Sequence, residues 1–150
     1  MDVFISHAQA DLPLAQFLHR HLSQEGLSAY LATVSMAPGE QWRQVILDNL
    51  RSSTWVICLV SRAACESQWV MQEMGVAIGA NKKLIPIVWD VSPHELPGWM
   101  REYQAVNLGG ANQEEARAAI DRISETIRSE KQKGIVILGM VIAGLMVCGR

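Results

Sequence analysis

The seven residues from Thr54 to Val60, TWVICLV, constrain the fold of this chain more than any other stretch. A nearly continuous apolar run of that length, rich in β-branched residues, is the pattern of a central strand covered on both faces. Such a strand needs helices above and below its sheet, and the rest of the chain supplies them by alternating strand-like and helix-like segments. DVFIS (2–6) reads as a short first strand. Asp11 offers a helix N-cap, Pro13 falls in the first turn, and Leu14, Phe17, Leu18, His21 and Leu22 recur at helical spacing until Gly26 ends the helix. LSAYLA (27–32) is a second strand. SMAPGEQ (35–41) is a loop with a Pro38-Gly39 turn, and Trp42, Val45, Ile46 and Leu50 mark a second helix.

SQWVMQEMGVAIGA (67–80) follows the central strand as a third helix. KLIPIVWD (83–90) is another buried strand, pushed by Pro86 towards an edge or a bulge. Beyond the irregular VSPHELPGW (91–99) come a weak fifth strand, YQAVNL (103–108), and an amphipathic helix over Asn112 to Lys133 through Ile120, Ile123 and Ile127. The expected fold class is α/β, a flavodoxin-like five-stranded parallel sheet flanked by helices, with residues 1–133 as one domain.

In open parallel sheets ligands bind beyond the carboxyl ends of the strands, where strand order reverses. For an order 2-1-3-4-5 the crevice is bordered by Ser6-His7-Ala8 and by Ser61 to Ser67, and the third helix starts above it. That helix carries one charge, Glu73. Gln68, Gln72, Gly75 and Gly79 form its polar or small stripe, but at ~100° per residue Glu73 projects away from them, beside Trp69, Val76, Ala77 and Ala80. Trp69 and Glu73 lie four apart and share a face. A carboxylate beside an indole wall in an apolar pocket would stabilise a cationic or oxocarbenium-like centre. The same spacing fits a Glu73 that reaches water past Trp69, or that pairs with a buried arginine.

Ser6 ends a strand at the ligand-facing edge, where its hydroxyl or backbone N–H could meet phosphate or ribose. His7 is an acid–base candidate or a solvated loop residue, and Ser61 is a second strand-end hydroxyl or a turn residue. No Gly-x-Gly-x-x-Gly follows the first strand and no Walker loop is present, so ordinary dinucleotide and P-loop sites lack their phosphate signatures. His19 and His21 are two apart on a helix and His94 stands alone in a loop, so no metal site is expected. A net charge of −2 gives no basic field for nucleic acid. The three cysteines, Cys58, Cys65 and Cys148, lack metal-ligand spacing and read as buried, reduced thiols.

The N-terminus shows no secretory signal pattern. Residues 134–149, GIVILGMVIAGLMVCG, carry no charge and follow RSEKQKG. The run is shorter than the ~20 residues that span a bilayer comfortably. It is nevertheless expected to be a C-terminal membrane-anchoring helix, with Arg128, Lys131 and Lys133 keeping residues 1–133 on the cytoplasmic face; the alternative is an element buried in the core or in a partner. Gly139 and Ala143 make a small-xxx-small pair for helix packing.

FISHAQAD (4–11), APGEQW (37–42), SSTWVICLVS (52–61), CESQWVMQEMGVA (65–77) and LIPIVW (84–89) together resemble the TIR domain in its bacterial form, over roughly residues 1–131. The resemblance implies one of two activities. Some members cleave the nicotinamide–ribose bond of NAD+, giving nicotinamide with ADP-ribose or a cyclised or conjugated ADP-ribosyl signal. Others are non-catalytic adaptors that act through TIR–TIR assembly. The Trp-x-x-x-Glu pattern of catalytic members falls on Trp69 and Glu73, which makes Glu73 the implied catalytic residue, holding the ribose hydroxyls. Ser6, His7, Trp42, Ser61 and Trp69 are the implied substrate-binding residues, and Ala37-Pro38-Gly39 with Trp42 the covering loop. NAD+ is then substrate, no cofactor is needed, and self-association completes the site. The chain departs from many members in having Ser6-His7-Ala8 where they carry basic residues, and in lacking a clear Phe-Trp box. The family implies a bacterial defence or stress-signalling role. A nucleoside-transferring enzyme is a further reading, since similar open sheets use a glutamate on ribose.

Overall fold

In the computed structural model, described for the backbone of residues 1–32 and 41–148 and for side chains as far as residue 135 apart from Pro93, five parallel strands form one sheet in the order β2-β1-β3-β4-β5. They are β1 (Val3–Ser6), β2 (Ala29–Leu31), β3 (Trp55–Val60), β4 (Lys83–Val88) and β5 (Val106–Asn107). The helices are α1 (Leu12–Gln24), α2 (Trp42–Ser52), α3 (Arg62–Glu66), α4 (Gln68–Gly79) and α5 (Gln113–Cys148). β3 sits at the centre, paired with β1 from Val3↔Trp55 to Ser6↔Cys58 and with β4 along all six residues. Its residues from Val56 to Val60 are fully buried, as a strand covered on both faces requires.

Side chains alternate across the sheet, and the alternation decides what each layer sees. Phe4, Val56, Cys58 and Val60 pack with Ile46 and Leu50 of α2 and Val70, Met74 and Ala77 of α4. Val3, Ile5, Ile57, Leu59 and Ile87 pack on the opposite face with Leu18 and Leu22 of α1 and Ile120, Ile123 and Ile127 of α5. Ser6, two residues after Phe4, therefore points into the α2–α4 layer.

Several local expectations change. β4 is an interior strand rather than an edge. β5 pairs only with Ile87 and Val88, so at Pro86 the strand has a single neighbour and the absent N–H disturbs at most one ladder. The fifth strand shrinks to two residues, a separate short helix, α3, precedes α4, and Val45 is 54% exposed instead of facing the core. Cys58 is buried, Cys65 only partly so. The loop expected around Pro38-Gly39 lies outside the described residues.

α5 opens with a reciprocal cap: the Glu115 N–H donates to Asn112 Oδ1 at 2.9 Å and the Asn112 N–H to Glu115 Oε2 at 3.1 Å. Past Ile127, the last buried position among its described side chains, the helix is fastened by ion pairs from Arg128 to Glu25 (2.6 Å), Glu130 to Lys83, and Lys131 to Asp2 (2.9 Å). It runs on through the expected 133/134 boundary without a break. Among the described residues no helix is long and apolar enough to cross a membrane. The side chains of most of the expected anchor, including Gly139, Ala143 and Cys148, lie outside the description.

Candidate active site

Ser67 caps the N-terminus of α4: its hydroxyl accepts from the Val70 N–H at 3.3 Å. Gln68, Gln72, Gly75 and Gly79 are exposed, as their spacing predicts. Glu73 is 0% exposed and lies among Val70, Met74 and Ala77 on the sheet-facing side. The Ser6 hydroxyl, presented by the last residue of β1, donates to Glu73 Oε2. Glu73 Oε1 is buried with no hydrogen-bond partner among the described residues.

Burial disfavours the charged form and pushes the Glu73 carboxyl from 4.5 up to about 7, against the Ser6 hydroxyl, which favours ionisation. The Trp69 indole N–H also favours the charged form, yet it lies outside hydrogen-bonding geometry and is itself buried without a partner among the described residues. Among the described residues neither possibility left by the spacing holds: Glu73 is 0% exposed and pairs with no arginine.

Aromatic rings lie near the acid. Trp69 meets Trp42 of α2 edge-on, with centroids 4.7 Å apart at 61°, and the Arg43 guanidinium lies 5.7 Å from the Trp69 ring. Tyr30 of β2 stacks on Phe4 at 5.6 Å, and burial together with the charge of Glu73 pushes its phenol up. Between α2 and α4 a cleft of about 410 Å³ is lined by Arg43, Leu47, Trp69, Gln72, Glu73 and Val76 with Gly75. Glu73 is among the residues lining that cleft, and its carboxyl, with Oε2 taken by Ser6 and Oε1 buried without a partner among the described residues, can accept a hydrogen bond from a hydroxyl and stabilise positive charge beside it.

Of the residues singled out from the sequence, Ser6, Trp42, Trp69 and Glu73 come together. His7 is 7% exposed; its Nδ1 lies 2.8 Å from the Ala8 carbonyl and its Nε2 is buried without a partner among the described residues. Ser61 lies apart from Glu73. Its hydroxyl donates to Asp11 and accepts from the Ala64 N–H at 3.0 Å, as the N-cap of α3. Asp11 stands at the start of α1 but makes no side-chain cap there, correcting the expected role; its carboxylate is taken by Ser61. Burial and then the nearby Asp90 hold Asp11 above the usual range, while Ser61 opposes them.

Two neighbours escaped the sequence reading, Tyr30 and Arg43. Arg43 directly follows Trp42, and a cation next to an aromatic site candidate was the one available signal. Among the described residues no group of three His, Cys, Asp or Glu side chains is placed to hold a metal. A second cleft, of about 660 Å³, lies elsewhere, between β5 and α5 beside Trp55, Ile85 and Ile123.

A family model described as the TIR domain matches residues 3–124. A probable 2' cyclic ADP-D-ribose synthase from Brachypodium distachyon is 31% identical over 97 residues, 63% of this chain and 43% of that protein, so the chain spans less than half the length of this curated relative. Among solved structures, the TIR domain of a Toll-related receptor from Hydra magnipapillata superposes with a TM-score of 0.68 at 20% identity, covering 85% of this chain and 98% of that one. A metazoan TIR-STING receptor from C. gigas superposes with a TM-score of 0.67 at 25% identity, covering 83% of this chain and 38% of the receptor.

Proposed function

This chain belongs to the TIR domain family, and from that premise we propose that it is an NAD+-consuming enzyme that cleaves the bond between nicotinamide and ribose. The observation that carries the reading is Glu73, a wholly buried carboxyl beside Trp69 in the lining of the α2–α4 cleft, with one oxygen unpartnered among the described residues. Cleavage sends the electron pair of the C1'–nitrogen bond to the pyridinium, which leaves as neutral nicotinamide. The positive charge passes to the ribose, and no general acid is required. A preorganised carboxylate in a water-poor site stabilises that oxocarbenium-like charge while its free oxygen accepts a ribose hydroxyl. Because Glu73 ionises only near pH 7 in the free protein, turnover is expected to fall below that pH.

The released ADP-ribosyl group is captured by water, giving ADP-ribose, or by another nucleophile, giving a cyclic or conjugated product. The name of the grass relative supports cyclisation as one outcome. Self-association is part of the same proposal, since tethered or concentrated copies meet at high effective concentration. Attachment to the cytoplasmic face of a membrane through residues 134–149 is a separate proposal that rests on the uncharged sequence run. A role in bacterial defence signalling rests on the family resemblance alone.

The test is release of nicotinamide from NAD+ by the full chain, free and on liposomes, with and without Glu73→Ala. Loss of turnover by at least about 100-fold is expected on removing a transition-state electrostatic group. Persistent NAD+ consumption by Glu73→Ala would reject Glu73 as the catalytic residue. An inert wild-type protein under concentrated and liposome-bound conditions would point instead to a non-catalytic TIR adaptor.

A further inference from the structure

Ser6 ends β1 at a position where the strand is held by β3, in register with Cys58, and it is 0% exposed. A serine hydroxyl has a single proton to donate, and this one is committed to Glu73 Oε2. The terminal torsion of a glutamate is broad, so a buried carboxyl is not oriented by rotamer preference alone. Fixing one oxygen against a rigid strand fixes the other. We propose that Ser6 is a positioning residue rather than a substrate contact: it pins Oε2 of Glu73 to β1 and leaves Oε1 as the single oxygen that meets the ribose. This deepens the proposed NAD+ chemistry and rests on it for the identity of the sugar.

The consequence is a division of labour within one carboxyl group. Oε2 belongs to the fold, and Oε1, buried and unpartnered, belongs to the ligand. Ser6 also favours the ionised form that the chemistry uses, in opposition to burial. Around Glu73 the groups that titrate or carry charge are Tyr30 from β2, Cys58 from β3 and Arg43 from α2, among the described residues. Burial first and the charge of Glu73 second push both the Tyr30 phenol and the Cys58 thiol up, so neither ionises where Glu73 does.

The experiment follows the carboxyl carbon of Glu73 by NMR in the free full chain, with 13C-labelled glutamate, across pH 5 to 9. Wild type, Ser6→Ala and Ser6→Thr are compared, and the resonance is assigned by its loss in Glu73→Gln. Losing a donor to a charged acceptor should raise the Glu73 midpoint by about one pH unit in Ser6→Ala. Ser6→Thr, which keeps the hydroxyl, should restore it. In NAD+ turnover Ser6→Ala should lower kcat by about tenfold at neutral pH, move the acid limb upward with the NMR midpoint, and leave KM nearly unchanged.

An unmoved midpoint in Ser6→Ala overturns the proposal. So does a raised KM with unchanged kcat, which would make Ser6 a substrate contact. If the wild type does not consume NAD+, the proposed function fails, while the NMR titration still decides whether Ser6 governs Glu73.

Discussion

Replacing Glu73 with glutamine should stabilise the protein at alkaline pH while ending its proposed chemistry. Below pH 4.5 the carboxyl is protonated in both the folded and the unfolded chain and contributes no pH dependence. Between 4.5 and about 7 the unfolded chain gives up a proton that the folded protein keeps, so folding stability falls as pH rises. Above about 7 the loss is complete. A carboxyl moved from 4.5 to about 7 loses about 3 kcal/mol, at ~1.4 kcal/mol for each tenfold change in the proton equilibrium. Glutamine is neutral at every pH and its amide oxygen can still accept from Ser6, so it escapes that loss. For a domain near 150 residues, ~3 kcal/mol corresponds to roughly 6–12 °C in Tm. Thermal unfolding followed by circular dichroism from pH 5 to 8.5 reads the effect directly. The Tm of Glu73→Gln minus that of wild type should be small at pH 5 and grow through neutrality. A difference that stays constant across the range would show that Glu73 ionises at an ordinary value in the folded protein, and the argument for a proton-retaining site would collapse.

Three further outcomes are expected. Ser61→Ala removes the α3 cap and the partner of Asp11, and should cost about 1 kcal/mol, read as a lower urea midpoint; an unchanged midpoint would deny the cap its weight. Trp69→Phe keeps a ring but deletes the indole N–H, so the Glu73 midpoint in the carboxyl titration should rise, by less than in Ser6→Ala. For residues 134–149, alkaline carbonate extraction of cell membranes is decisive: retention in the pellet supports the anchor, and release of the full-length chain removes it.

Much of the fold was legible because burial imposes a period on sequence. TWVICLV has the pattern of a strand covered on both faces, and the ~100° step of a helix was enough to place Glu73 off the polar stripe of α4. The spacing from Trp69 to Glu73 is local and survived intact. What remained hidden depends on contacts distant in sequence. Ser6 meets Glu73 only because alternation along β1 aims Ser6 at the layer that contains α4. Asp11 occupies a correct N-cap position, yet Ser61, fifty residues later, captures its carboxylate. Pro86 looks incompatible with an interior strand until β5 proves too short to reach it. At residue 133 the sequence changes from charged to apolar, which reads as a boundary, but helix hydrogen bonding is indifferent to that change and a single glycine at 134 does not stop it.

The unbroken run of α5 from Gln113 to Cys148, clamped to the body by Arg128, Glu130 and Lys131, makes the chain a shaft rather than a head on a string. On a shaft, orientation is transmitted as well as distance. Each residue added after Lys133 would turn whatever the distal helix engages by ~100° about the helix axis and shift it by ~1.5 Å, while seven residues would bring it back nearly into phase. Two copies held by their distal helices would thus present their clefts at a fixed azimuth. Productive and unproductive arrangements would alternate with the rotational phase of the insertion rather than its length.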